Sequence, residues 1–177
     1  YVKTYEGSFD ADFPTVYDLT GKGLHLELHG PGQPAWNPDV PARIDTENAI
    51  VINEIMPNPS GSDGGKEWFE LYNRWFTPLH LKAWTILGEG ANESYVFETD
   101  LEIPMGAYSV LGQTLDSSTN GGYVPDYEYG TTVSLSNFGE SLTILDGSGA
   151  SMDLVSFDDS FPFGSGVSME LIRPDYN

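Results

Sequence analysis

The chain has 177 residues, no Cys, and 27 acidic side chains against 7 basic ones, for a net charge of −20. A field of that sign repels phosphate backbones, so direct nucleic-acid binding is not expected, and without Cys no disulfide can form. No apolar run approaches the roughly 18 residues of a membrane-spanning helix, while 39% hydrophobic and 13% aromatic residues suffice to fill a core.

The chain opens on Tyr1 rather than Met, as expected of a processed or excised piece, and shows no signal peptide. Residues 1–47 read as an N-terminal extension or the end of an upstream domain, too short for a core of their own. DFPTVYDLTGKGLHLELHG (12–30) predicts two strands around a turn at Gly21-Lys22-Gly23. Within it His25, Glu27 and His29 share one strand face, with neighbours about 6.8 Å apart. One zinc would reach two of them at most, and a closed site needs more ligands. The clean alternation favours a polar strand face, with Leu24, Leu26 and Leu28 turned inward. PGQPAWNPDVPARID (31–45) holds four Pro and reads as an extended connector.

Residues 48–177 read as consecutive short strands rich in β-branched and aromatic residues, bounded by Gly, Pro, Asn, Asp and Ser. They are AIVINEIM (49–56), EWFELYN (67–73), LKAWTIL (81–87), SYVFET (94–99), AYSVLG (107–112), SLTILD (141–146), SMDLVSF (151–157) and SMELIRP (168–174). Asp146-Gly147 predicts the turn of a hairpin over 145–152. PNPSGSDGGK (57–66) and LDSSTNGGYVPDYEYGTT (115–132) are the long loops, where binding concentrates on such scaffolds. No window carries a helical stripe. The expected fold is an all-β antiparallel sandwich with a short N-terminal β extension, and Phe69, Leu71, Trp84, Val110 and Ile144 in its core.

The chemical motifs are sparse. There is no G-x-S-x-G and no glycine-rich phosphate loop opening a helix. With 27 acids, no single carboxylate pair points to glycoside hydrolysis. GSDGGKE (61–67) and SFDDSF (156–161) are oxygen-rich loops suited to calcium, though without EF-hand spacing. Asp63, Glu67, Asp158 and Asp159 are the candidate ligands, provided that the first and last loops meet at one end of the sandwich. Asn53 and Glu54, near a strand end, are expected to hold loop amides through their side-chain oxygens.

The order INEI (52–55), a Pro/Gly/Asp loop, EWFELYN (67–73) and L-x-L-x-x-W-T-I (79–86) resembles the lamin tail domain family. IPMGAYSVL (103–111), LSNFGESLTILD (135–146), VSFDD (155–159) and SMELIRP (168–174) extend the resemblance in order over about 48–177. The resemblance implies an immunoglobulin-like sandwich, closer to the bacterial form, and it carries over no catalytic residue. The implied role is a noncatalytic extracellular or cell-surface module of a larger bacterial protein, attaching to a protein or surface partner. A small metal-dependent hydrolase completed by residues 1–47, or a calcium-stabilised spacer, are the alternatives.

Overall fold

The computed structural model describes Ala49–Ile172, together with two short strands within residues 1–48. The chain divides into two compact units, Tyr1–Asp45 and Thr46–Asn177. In the first, β1 (Thr15–Val16) and β2 (Leu26–Glu27) pair antiparallel, with Val16 opposite Leu26. The Gly21-Lys22-Gly23 turn, His25, His29, the Pro-rich connector and residues 173–177 lie outside the described residues.

The second unit is built from β3 (Ile50–Met56), β4 (Trp68–Asn73), β5 (Leu79–His80), β6 (Thr85–Leu87), β7 (Ser94–Val96), β8 (Glu102–Ile103), β9 (Tyr108–Gly112), β10 (Tyr127–Glu128), β11 (Gly139–Leu145), β12 (Ser151–Asp158) and β13 (Met169–Glu170). One sheet runs β10-β9-β4-β3-β13, the facing one β12-β11-β6-β7, and β5 pairs with β8. This is an immunoglobulin-like all-β sandwich. Among the described residues every pairing is antiparallel except β9 with β10, where Tyr127 lies beside Leu111. That parallel pair departs from the expected all-antiparallel order. Segment 113–126 carries the chain back alongside the last two residues of β9, which a tight turn cannot do. β10 therefore lies inside what reads in the sequence as one long loop.

Alternation places the core. In β4, Phe69 and Leu71 are buried, while Trp68, Glu70 and Tyr72 are half-buried on the other face. Ile50, Ile52, Ile55, Ile86, Leu111, Leu142 and Ile144 complete the inner layer, and Phe69 packs on Tyr129 with ring centroids 5.3 Å apart. Two expected core residues sit elsewhere. In β9, Ser109 and Leu111 face inward and Val110 is half-buried, because Phe69 pairs with Leu111 and Glu70 with Val110. A five-residue strand reads equally well in either phase, and its partner strand sets which one is used. LKAWTIL is not one strand either. A turn closes through Trp84 N–H to Leu81 O at 2.9 Å, with Ala83 at φ 66°. The turn shifts the phase, so Leu81 enters the core and Trp84 packs half-buried at its margin.

Glycine acts at two junctions. At the β11–β12 hairpin the positive φ falls on Gly149 (86°) rather than on the predicted Asp146-Gly147 pair. Asp146 Oδ1 instead accepts the N–H groups of Ser148 and Ala150. Gly139 opens β11 at φ 124°, where a Cβ would lie 2.7 Å from the Phe157 carbonyl oxygen. Only Gly lets β11 begin so close to β12.

Asn73 closes β4 with no exposed surface. Its Nδ2 donates to Thr77 O (2.9 Å) and Ile103 O (2.8 Å), and its Oδ1 accepts from Trp75 N–H (2.8 Å). Asn73→Ala strands these partners and is expected to cost about 2–3 kcal/mol in denaturant unfolding. A loss under about 0.5 kcal/mol would mean that water replaces the amide.

Candidate functional site

The cleft nearest the long loops lies between 61–67 and 131–138. It has a volume of about 390 Å³ and is lined by Asp63, Glu67, Gln113, Ser134, Asn137 and Phe138 among others. Its central acid is Glu67, just ahead of β4 and 4% exposed. Glu67 Oε2 accepts from Gln113 Nε2 (2.6 Å) and Leu135 N–H (2.8 Å), and Oε1 accepts from Ser134 Oγ (3.4 Å). Its backbone oxygen accepts from Gln113 N–H (3.2 Å) and from the Tyr123 and Tyr129 hydroxyls (3.2 and 3.4 Å). Gln113 Oε1 in turn takes the Gly65 N–H at 2.9 Å. Glu67 and Gln113 thus fasten loop 57–66 to loop 131–138.

Burial pushes the Glu67 carboxyl up to about 7, and the Asp63 and Glu140 charges add to the rise, while the Leu135 amide opposes it. Burial, helped by the Glu67 charge, raises the Tyr123 hydroxyl to about 12 and lifts that of Tyr129 as well. Glu140 is a second fastener, 5% exposed. It accepts the Ser136 N–H (2.7 Å) and the Glu89 N–H (3.3 Å) across an adjoining cleft of about 270 Å³, and burial raises its pKa. The neighbouring amides of Leu135 and Ser136 are therefore held by two different buried carboxylates. Asp153, buried on β12, accepts the Ile52 N–H at 2.7 Å.

The four candidate calcium ligands are placed as follows. The first and last loops do adjoin, through Gly166 N–H to Asn58 O at 2.7 Å. Asp63 is half-buried and accepts from Asn137 Nδ2 at 2.7 Å, beside Glu67. Asp158 is exposed and turned to the Ser160 N–H (2.9 Å), its pKa lowered by the Ser160 hydroxyl and amide. Asp159 is exposed. Among the described residues no three His, Asp or Glu side chains come together as a metal-holding group.

Asn53 and Glu54 hold side chains rather than the expected loop amides. Asn53 Nδ2 donates to Glu70 Oε1 (2.8 Å), and Glu54 Oε1 accepts from Ser168 Oγ. The cause is a bulge at Asn53, where the β3–β4 register shifts and turns its side chain toward Glu70. Gln113, Ser134 and Leu135 are the partners that sequence reasoning missed. Gln113 lies 46 residues and Leu135 68 residues from Glu67, so no local spacing announces them.

Residues 45–159 match the family model described as Lamin Tail Domain. A search of curated proteins gave no match. No helix among the described residues is long and apolar enough to cross a membrane.

Proposed function

The chain belongs to the lamin tail domain family, and from that membership we propose that it is a noncatalytic interaction module of a larger bacterial protein. The module works outside the cell or at its surface, attached to a protein or surface partner. One observation carries the noncatalytic part of this reading. Glu67, the carboxyl with a pKa near neutrality, has both oxygens engaged by Gln113, Leu135 and Ser134 inside the fold. A general acid or base needs a lone pair or proton aimed at substrate, and here three of the carboxylate's roughly four acceptor sites are engaged in fastening loops. The acidity of the chain supports a well-hydrated surface and an affinity for basic partners.

The test is turnover. The purified chain is expected to leave nucleic acids, phosphate esters and polysaccharides intact with added Zn²⁺ or Ca²⁺. Hydrolysis that disappears in Glu67→Gln, His25→Ala or His29→Ala would overturn the noncatalytic reading.

A further inference from the structure

The outer face of the five-stranded sheet carries an arrangement that sheets ordinarily avoid. Residues directly opposite in register share a face. Glu170 lies opposite Glu54, and Glu54 opposite Glu70, so three carboxylates cross β13, β3 and β4 in one row. Neighbouring strands are about 4.8 Å apart, and like charges directly opposite are destabilising. Glu54, Glu170 and Asp126, all negative, act on Glu70 and oppose its ionisation. Aromatic rows flank the acids. Tyr72 stacks on Tyr108 with centroids 4.6 Å apart, and Trp68 packs near Tyr123 at 5.9 Å. Tyr108 is 48% exposed, and Trp68, Glu70 and Tyr72 are half-buried. Asn53 provides an independent sign. It is 3% exposed, its Nδ2 bonds Glu70, and its Oδ1 has no donor. A buried acceptor left unpaired beside an acidic row is a cost to the free protein.

We propose that this face is the docking surface for an arginine-rich segment of a partner protein, seated along Glu170–Glu54–Glu70 between the aromatic rows. This rests on the interaction-module reading and names its partner. Charge complementarity selects the occupant. A guanidinium forks onto carboxylates and stacks on Tyr and Trp faces, and Arg is the side chain that does both. A single divalent ion is the poorer occupant, because the three carboxylates are spread over two strand spacings and form no metal-holding group.

The experiment titrates the full chain with synthetic peptides of alternating Arg and Ser, Lys and Ser, or Glu and Ser, and with spermine, following Trp fluorescence at two salt concentrations. The Arg peptide is expected to bind best, and more weakly as salt rises. The triple variant Glu54→Gln, Glu70→Gln, Glu170→Gln is expected to bind it about tenfold more weakly or worse. The triple variant Glu98→Gln, Glu102→Gln, Asp159→Asn removes the same charge from exposed positions elsewhere and is expected to bind like the parent. Tyr108→Ser, which keeps every charge, is expected to narrow the preference for Arg over Lys. Equal loss in both triple variants would show attraction by net charge alone and overturn the proposal, as would spermine binding as tightly as the Arg peptide. Absence of Arg-peptide binding together with no hydrolysis sinks the docking surface alone. Hydrolysis would sink the noncatalytic reading whether or not the peptide binds.

Discussion

Phe69→Ala is expected to cost about 3–5 kcal/mol of folding stability. Phe69 has no exposed surface, points inward from the middle strand of the larger sheet, and meets the Tyr129 ring at 5.3 Å. Truncation removes the transfer free energy of the ring and leaves a cavity between two sheets that cannot collapse around it. Trp84→Ala is the informative companion. Trp84 is the larger side chain but sits half-buried at the margin of the core, beyond the Leu81–Trp84 turn. It is expected to cost under about 3 kcal/mol, since part of its surface meets water already and water can fill the gap. Urea unfolding with an unchanged m-value measures both. A larger loss for Trp84→Ala than for Phe69→Ala would put the centre of the sandwich in the wrong place.

Glu67 is expected to make the domain more stable in mild acid than at neutral pH. Its folded pKa, near 7, lies above the ordinary carboxylate value of 4.5 because burial penalises the charged form. The folded state therefore holds this proton more tightly than the unfolded chain does. The resulting stability is fully present below about pH 4.5 and is lost as pH rises to about 7, a change of about 3 kcal/mol for this side chain. Glu70 and Glu140 are raised in the same sense by burial. Asp100, Asp116, Asp146 and Asp158 are lowered, so their contributions are lost only in stronger acid. Melting midpoints are expected to climb from pH 8 to about pH 5 and to fall again below the ordinary aspartate range. Relief of general repulsion would raise them too, so the comparison is made at matched, high ionic strength.

Two substitutions separate the causes. Glu67→Gln keeps an oxygen for Gln113 and Leu135, both of which meet Oε2, and places an amide where Oε1 faces Ser134. It is expected to flatten the pH dependence and to match or exceed the parent at pH 8. Glu67→Ala strands the Leu135 and Gln113 donors and is expected to cost about 2–4 kcal/mol at pH 5. A Glu67→Gln protein with the parent's slope between pH 5 and 8 would mean that Glu67 does not carry the effect.

The lamin tail domain fold was legible because strands write their period into the sequence. Phe69 and Leu71 alternate with Trp68, Glu70 and Tyr72 in only one way that hides the apolar pair, and the structure buries that pair. The ordered motifs from INEI to VSFDD lie within 45–159, the residues that the family model matches, and SMELIRP lies beyond them. The phase of β9, the displacement of Trp84 and the parallel β10 were not legible. Trp84 is displaced by the turn at Leu81–Trp84, where Ala83 takes a positive φ that the sequence does not announce, while the first and last depend on which partner strand arrives. The acids divide for the same reason. Glu67, Glu140 and Asp153 are inside while Asp158 and Asp159 are outside, though apolar neighbours in sequence do not sort them, since both buried Glu67 and exposed Asp158 adjoin an aromatic residue. Whether a carboxylate can be buried depends on donors meeting it, and those of Glu67 come from residues 46 and 68 positions away. The Glu170–Glu54–Glu70 row likewise exists only once β13, β3 and β4 lie side by side. Sequence spacing encodes the period of a strand, but the environment of a charge is set by non-local neighbours that only the folded chain assembles.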